Sequence, residues 1–184
     1  MIIKKKSQLD GFFQNTPTFF QQFKGTIIAA EAIKLTDFTD LSVAIIGANQ
    51  QTVSLLDMIT RQAKAVKVFQ IAPHFILPHT EKGIQRLVSH PLIIKNRRFF
   101  NNRVKSLLAI RYLDAQIYDP WLKSQLMPNC AAEHKIFLKS DSYYTALQRE
   151  NCQLITWPII KVTEAAIQSI DGTAHDVDLI ITTY

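Results

Sequence analysis

With 184 residues, 47% hydrophobic and 20% charged side chains, the chain has the composition of an ordinary globular protein, which excludes a disordered or fibrous one. No apolar run approaches the roughly 20 residues that span a bilayer, and the opening MIIKKKSQLD has charges with no apolar signal segment behind it, so a cytoplasmic location is expected and a membrane partner is not. The formal net charge of +6 favours solubility without implying a partner.

Residues 1–40 read as an irregular lead-in or linker, because GFFQNTPTFFQQFKG mixes aromatics, Pro17 and two glycines with no sustained period. Residues 41–184 read as a single domain. It opens with Ser42 to Ile46, an apolar run rich in β-branched residues, as expected of a parallel strand covered on both faces. Gly47 then turns the chain, and Asn49 is placed to cap a helix beginning near Gln50. Val53, Leu56, Ile59 and Ala63 recur at helical spacing and give that helix one buried stripe. Ala65 to Ile71 is the next strand, completing a strand, helix and strand crossover unit.

Beyond it, APHFILPHTEKG breaks regular structure at Pro73 and Pro78, and a helical stretch runs from about Glu81 to Arg111 with an interruption at Pro91. A short helix fits between Pro120 and Pro128. His134 to Lys139 suggests a short strand, SDSYYTALQ a helix capped by Ser140 or Asp141, and Gln153 to Trp157 another strand. The remainder reads as two or three strands turning at Asp171 and Gly172. The expected fold is a three-layer α/β domain with a mainly parallel central sheet, a helical insertion and a C-terminal β-hairpin or meander.

Other chemical signals are thin. Cys130 and Cys152 have neither metal-ligand spacing nor disulfide density, and both read as reduced and structural. His74, His79, His90, His134 and His175 are scattered without the spacing of a zinc site, so no metal is expected. The basic segment KNRRFFNNRVKSLLAIR, Lys95 to Arg111, interleaves cations with aromatics as phosphate-tracking surfaces do, but a solvated helix face accounts for it and nucleic acid is not expected as a partner. Tyr143, Tyr144, Trp121 and Trp157 read as core or interface aromatics.

Taken in order, several segments resemble the NADP-binding domain of the flavin-containing monooxygenases, especially the Baeyer–Villiger branch. Phe23 and Gly25 in FKG resemble the start of that family's fingerprint. LSVAIIG with the helix after it resembles the second dinucleotide turn, KVFQIAPHFILP the proline-bounded loop, LKSDSYYTAL a later landmark, and DVDLIITTY the strand leading to the hinge. The resemblance implies that 41–184 is a Rossmann-like domain of NADP-binding type, inserted in relatives within an FAD-binding domain. No first glycine fingerprint is present, so the FAD half is missing and FAD enters only if another chain supplies it. The chain resembles an excised insertion domain with its linkers: a remnant, half of a split enzyme or an excised piece.

In a dinucleotide turn three small residues serve the turn, the approach of the pyrophosphate and the packing of helix on strand. Gly47 fills the first role, whereas Asn49 and Thr52 stand at the second and third. The cofactor-binding candidates are Gly47, Ala48, Asn49, Gln50, Gln51 and Thr52 at the turn, with Gln70 and Ile71 at the end of the second strand. Ile71 stands where the resemblance implies an arginine for the 2′-phosphate, and Lys64 and Lys67 read as solvated lysines, not substitutes. His79 follows Pro78 where the family has an arginine, and Ala29 and Ile33 replace the fingerprint's His and Trp. NADP affinity is therefore expected to be weakened, with a retained fold, no catalytic residue and relaxed or lost activity.

Two further readings stand beside this one. The chain is the NADPH-binding half of a split flavoprotein monooxygenase, with an FAD-binding partner, or it is an interaction module that self-associates through the surface the FAD half once covered. Phe12, Phe13, Phe19 and Phe20 are the expected contact residues in the latter case.

Overall fold

The computed structural model describes residues 20–79, 97–129 and 135–183. The unit expected from the sequence is present as β2 (Ser42–Ile46), α1 (Gln50–Gln62) and β3 (Ala65–Phe69). Three further strands complete the central sheet: β1 (Thr26–Ala29), β6 (Cys152–Ile155) and β10 (Leu179–Thr182). All five are parallel, in the spatial order β1, β10, β2, β3, β6. The chain moves outward from β2 to β3 and β6, then crosses back to place β10 on the other side of β2. The C-terminal ends of β10, β2 and β3 thus lie side by side, at the edge where parallel α/β sheets bind ligands.

Both faces of the sheet are covered, and the alternation along β2 shows why its sequence is apolar throughout. Val43 and Ile45 pack with Val53, Leu56 and Ile59 of α1 in one core. Ala44 and Ile46 pack with Phe69, Ile167 and Ile180 in a second. The second core lies under a three-stranded antiparallel sheet of β7 (Ile159–Val162), β8 (Ala166–Ser169) and β9 (Ala174–Asp176). The turn from β8 to β9 contains Gly172 at φ +84°, in the left-handed region that suits an Asp-Gly pair. Helix, parallel sheet and antiparallel meander make the three expected layers.

The helical insertion comprises α2 (Arg97–Gln116) and α3 (Pro120–Leu126), and α4 (Tyr143–Leu147) follows the strand β5 (Phe137–Lys139). Asp119 caps α3 by accepting from the Trp121 and Leu122 amides, and Ser140 Oγ accepts from the Tyr143 amide at 3.1 Å. Pro91 and most of the stretch from Glu81 lie outside the described residues, as do the side chains of Phe99 and Phe100. Trp121 and Trp157 are exposed, whereas Tyr143 and Tyr144 are in the core.

Two segments differ from the sequence expectation. Thr26–Ala29, within the lead-in, is strand β1 at the sheet edge, followed by a 3-10 helix over Ala30–Leu35. Its register is fixed by Asp178, whose carbonyl accepts from the Thr26 amide at 3.1 Å and whose Oδ2 accepts from the Ser42 amide at 2.8 Å. Phe75–Leu77, in the proline-bounded loop, is strand β4 and pairs in parallel with β5. Both are three- or four-residue strands whose partners lie far along the chain, so local composition carries little sign of them. Phe20, expected on an interaction surface, is buried in the second core, and Phe12, Phe13 and Phe19 lie outside the described residues.

Asp57 of α1 ties the helix layer together. Its Oδ2 accepts from Arg61 Nε at 2.9 Å and its Oδ1 from Arg149 Nη2 at 2.6 Å, joining α1 to the segment before β6. Burial opposes the carboxylate's charge, but the two arginines outweigh it and hold the carboxyl below its ordinary value of 3.8. A carboxyl with a depressed folded-state pKa stabilises fully above its unfolded value, and that stability disappears as pH falls through the folded one. The thermal midpoint of the wild type should therefore exceed that of Asp57→Asn at neutral pH, with the gap closing as pH falls below the ordinary carboxylate value of 3.8. A gap that stays constant over that fall in a melting series would show that no linked charge resides there.

Candidate functional site

The turn after β2 is built on one close approach. Gly47 adopts φ +88°, and its amide donates to the Phe69 carbonyl at 3.0 Å, fixing the start of the turn to the end of β3. A Cβ on Gly47 would collide with Thr183 Oγ1, the hydroxyl just beyond β10, which donates to the Ile46 carbonyl at 3.2 Å. Glycine is needed there both for its backbone angle and for the space.

Asn49 then caps α1. Its Oδ1 accepts from the amides of Gln51 at 3.0 Å and Thr52 at 2.9 Å, while Thr52 Oγ1 accepts from the Asn49 amide at 3.0 Å. This reciprocal capping box satisfies donors that a helix start otherwise leaves for an anion. Thr52 is buried at the helix start, where its hydroxyl belongs to the cap. Gln50 faces away from the turn, bonding the Lys139 backbone through Nε2 at 2.7 Å and Oε1 at 2.9 Å. Gln51 is exposed.

At the end of β3 the two candidates diverge. Gln70 is 5% exposed, its Oε1 accepting from the Tyr143 hydroxyl at 2.6 Å and its Nε2 donating to the Ala72 carbonyl at 3.2 Å. Burial pushes the Tyr143 phenol above its usual range, so it stays a neutral donor. Ile71, by contrast, is 63% exposed. Lys67 reaches the opposite way, donating to the Asp176 carbonyl of β9 at 3.1 Å, and Lys64 precedes β3 at the far end of the strand. The His79 amide donates to Asp141 Oδ1 at 2.8 Å. Gly25 persists for a packing reason: a Cβ there would collide with the Asp178 carbonyl and the Phe23 ring.

These elements enclose a cleft of about 640 Å³ at the C-terminal ends of β2 and β3. Gly47, Ala48, Gln70 and Ile71 line it, whereas Asn49, Gln50, Gln51 and Thr52 stand outside its walls. His74, Trp157 and Thr183 also line it; the sequence places His74 and Thr183 within landmark segments but assigns none of the three to a binding site. The His74 imidazole is held below its ordinary range by burial, against an opposing hydrogen bond to the Ala48 backbone, and is neutral near pH 7. Cys152 lies away from the cleft, its thiol pushed up to about 12 by burial, and is unreactive as a nucleophile.

Fold and turn together define a parallel α/β domain of the dinucleotide-binding type. No family model matches the chain. It is 30% identical over 167 residues to a Baeyer–Villiger monooxygenase of Pseudomonas aeruginosa, covering 79% of this chain and 32% of that protein. An FAD-binding monooxygenase of Aspergillus niger is 26% identical over 170 residues, covering 79% and 28% respectively. Among solved structures, an oxidised steroid monooxygenase bound to NADP superposes with a TM-score of 0.71 at 20% identity, covering 91% of this chain and 43% of that one. Its homologues are thus Baeyer–Villiger and FAD-binding monooxygenases, and the chain spans about a third of the length of these relatives.

The bond between Tyr143 and Gln70 sets the inward turn of the β3 end. Tyr143→Phe leaves a buried Gln70 oxygen without its donor and should lower the unfolding free energy by about 1–3 kcal/mol, measured by urea titration. A loss below about 0.5 kcal/mol would show that Gln70 finds another partner.

Proposed function

We propose that the chain is the nucleotide-binding-type domain of a flavin-dependent monooxygenase whose own dinucleotide site is closed, with no autonomous catalysis. The Asn49 capping box carries this reading. A pyrophosphate seated on such a turn draws on the first free amides of the helix and on close access to the backbone. Here the Gln51 and Thr52 amides already bond the Asn49 oxygen, so an incoming phosphate would have to displace a side chain that the fold itself supplies. The β3 end offers no replacement, because Gln70 is turned inward and Ile71 has neither the carboxylate that selects a ribose nor the cation that selects a 2′-phosphate. The residues present do not fit a tightly held NADP.

The exposed apolar side chains Ile71 and Trp157 on the cleft rim favour a second reading, in which this face docks on an FAD-binding partner or on another copy of the chain. A yellow protein that co-purifies with the chain would support that version, whereas a colourless monomer at high concentration would count against it.

Replacing the cap and supplying a cation test the closed-site reading directly. Glycine at a helix N-cap costs only a few tenths of a kcal/mol relative to asparagine, so Asn49→Gly should fold. The wild type should show no binding of NADPH at low micromolar concentration by fluorescence titration, and Asn49→Gly with Ile71→Arg should gain about tenfold or more in affinity. Tight binding by the wild type, or no gain in the double variant, would overturn the reading.

A further inference from the structure

We propose that the cleft at the ends of β2 and β3 is a site for an uncharged, ring-bearing small molecule, held by apolar contact and stacking. The inference rests on the closed-site reading above, since a pyrophosphate on the turn would occupy the same mouth. A cleft of about 640 Å³ lies within the range of small-molecule sites, which are mostly apolar with a few convergent polar groups. Ile46 and Phe69, the last residues of two central strands, contribute to its walls, and Ile71, Trp157, Pro158 and Ile159 extend the apolar lining outward.

Charge decides the ligand class. Among the described lining residues there is no lysine, arginine, aspartate or glutamate. His74, the one ionisable side chain in that lining, is neutral near pH 7. An anion or cation entering this space would shed water with no ionic partner among the described lining residues, at a cost an uncharged ring does not meet. The polar atoms present suit orientation: the His74 imidazole and Thr183 Oγ1 sit at the Gly47 end, and the Trp157 indole, 55% exposed, offers a face for stacking. The side-chain amide of Gln70 is already satisfied by Tyr143 and Ala72 and makes no competing demand.

The test uses the full chain and N-phenyl-1-naphthylamine, an uncharged aromatic amine that brightens in apolar surroundings. The wild type should bind one equivalent saturably in the low micromolar range, and Ile71→Asp should weaken binding by about tenfold or more. Ile71 is exposed enough that this change spares the core, and Trp157→Lys gives a second reading if that variant proves unstable. Leu35→Asp, at an apolar residue 78% exposed and outside the cleft, should bind as the wild type does. No saturable binding, or equal binding in all variants, would overturn the inference. NADPH added to the bound probe separates the two claims. Displacement at low micromolar NADPH sinks the closed-site reading and this inference together, whereas failure of both probe and NADPH to bind sinks only the inference.

Discussion

The contact between Gly47 and Thr183 organises this molecule. A glycine in the left-handed region lets the end of β2 turn within reach of the residue that follows β10, and the Thr183 hydroxyl closes the gap on the Ile46 carbonyl. Because the same glycine's amide bonds the end of β3, three adjacent strands are brought to a common edge. The cleft lies where those three ends are held together. Any side chain at position 47 would meet the Thr183 hydroxyl and force it off the Ile46 carbonyl, besides straining the backbone at φ +88°.

Once the edge is set, its chemistry follows from which donors are already used. In a dinucleotide turn the helix start is an open set of amides, and the fold keeps it open by placing small residues beside it. In this chain Asn49 and Thr52 satisfy each other across that start, and the result is a well-capped helix. Gln70 repeats the pattern on β3, where its amide group is committed to Tyr143 and Ala72. Hydrogen-bonding capacity that could serve a ligand serves the protein's interior. The scaffold remains, with two cores on either face of β2, because those cores depend on apolar packing and not on the site.

Much of this was legible in the sequence wherever the code is local. The β-branched run at Ser42 to Ile46, the cap at Asn49 and the stripe at Val53, Leu56 and Ile59 each announce their element within a few residues. Asn49 and Thr52 were also legible as departures from a small-residue turn, although only the structure shows them bonded to one another. What escaped depends on distant partners. Strand β1 is four residues paired with β10, its one neighbour among the described strands, and β4 is three residues paired with β5. The position of Gln70 at a strand end follows from the sequence, but the direction of its side chain depends on Tyr143, far along the chain. Thr183 lies in a landmark segment, but its packing against Gly47 joins positions far apart in the chain and is not legible there.

The interposition of β10 between β1 and β2 bears on how the chain reaches this state. During synthesis β2, α1 and β3 emerge together and can associate as a local unit, while β1 leaves the ribosome earlier and finds no hydrogen-bonding neighbour. It gains one only when Leu179 to Thr182 have been made and have slid in beside β2. Pairing of β1 therefore requires the segment Leu179 to Thr182, and without it the strand edges of β1 and β2 that β10 covers would be open to other strands.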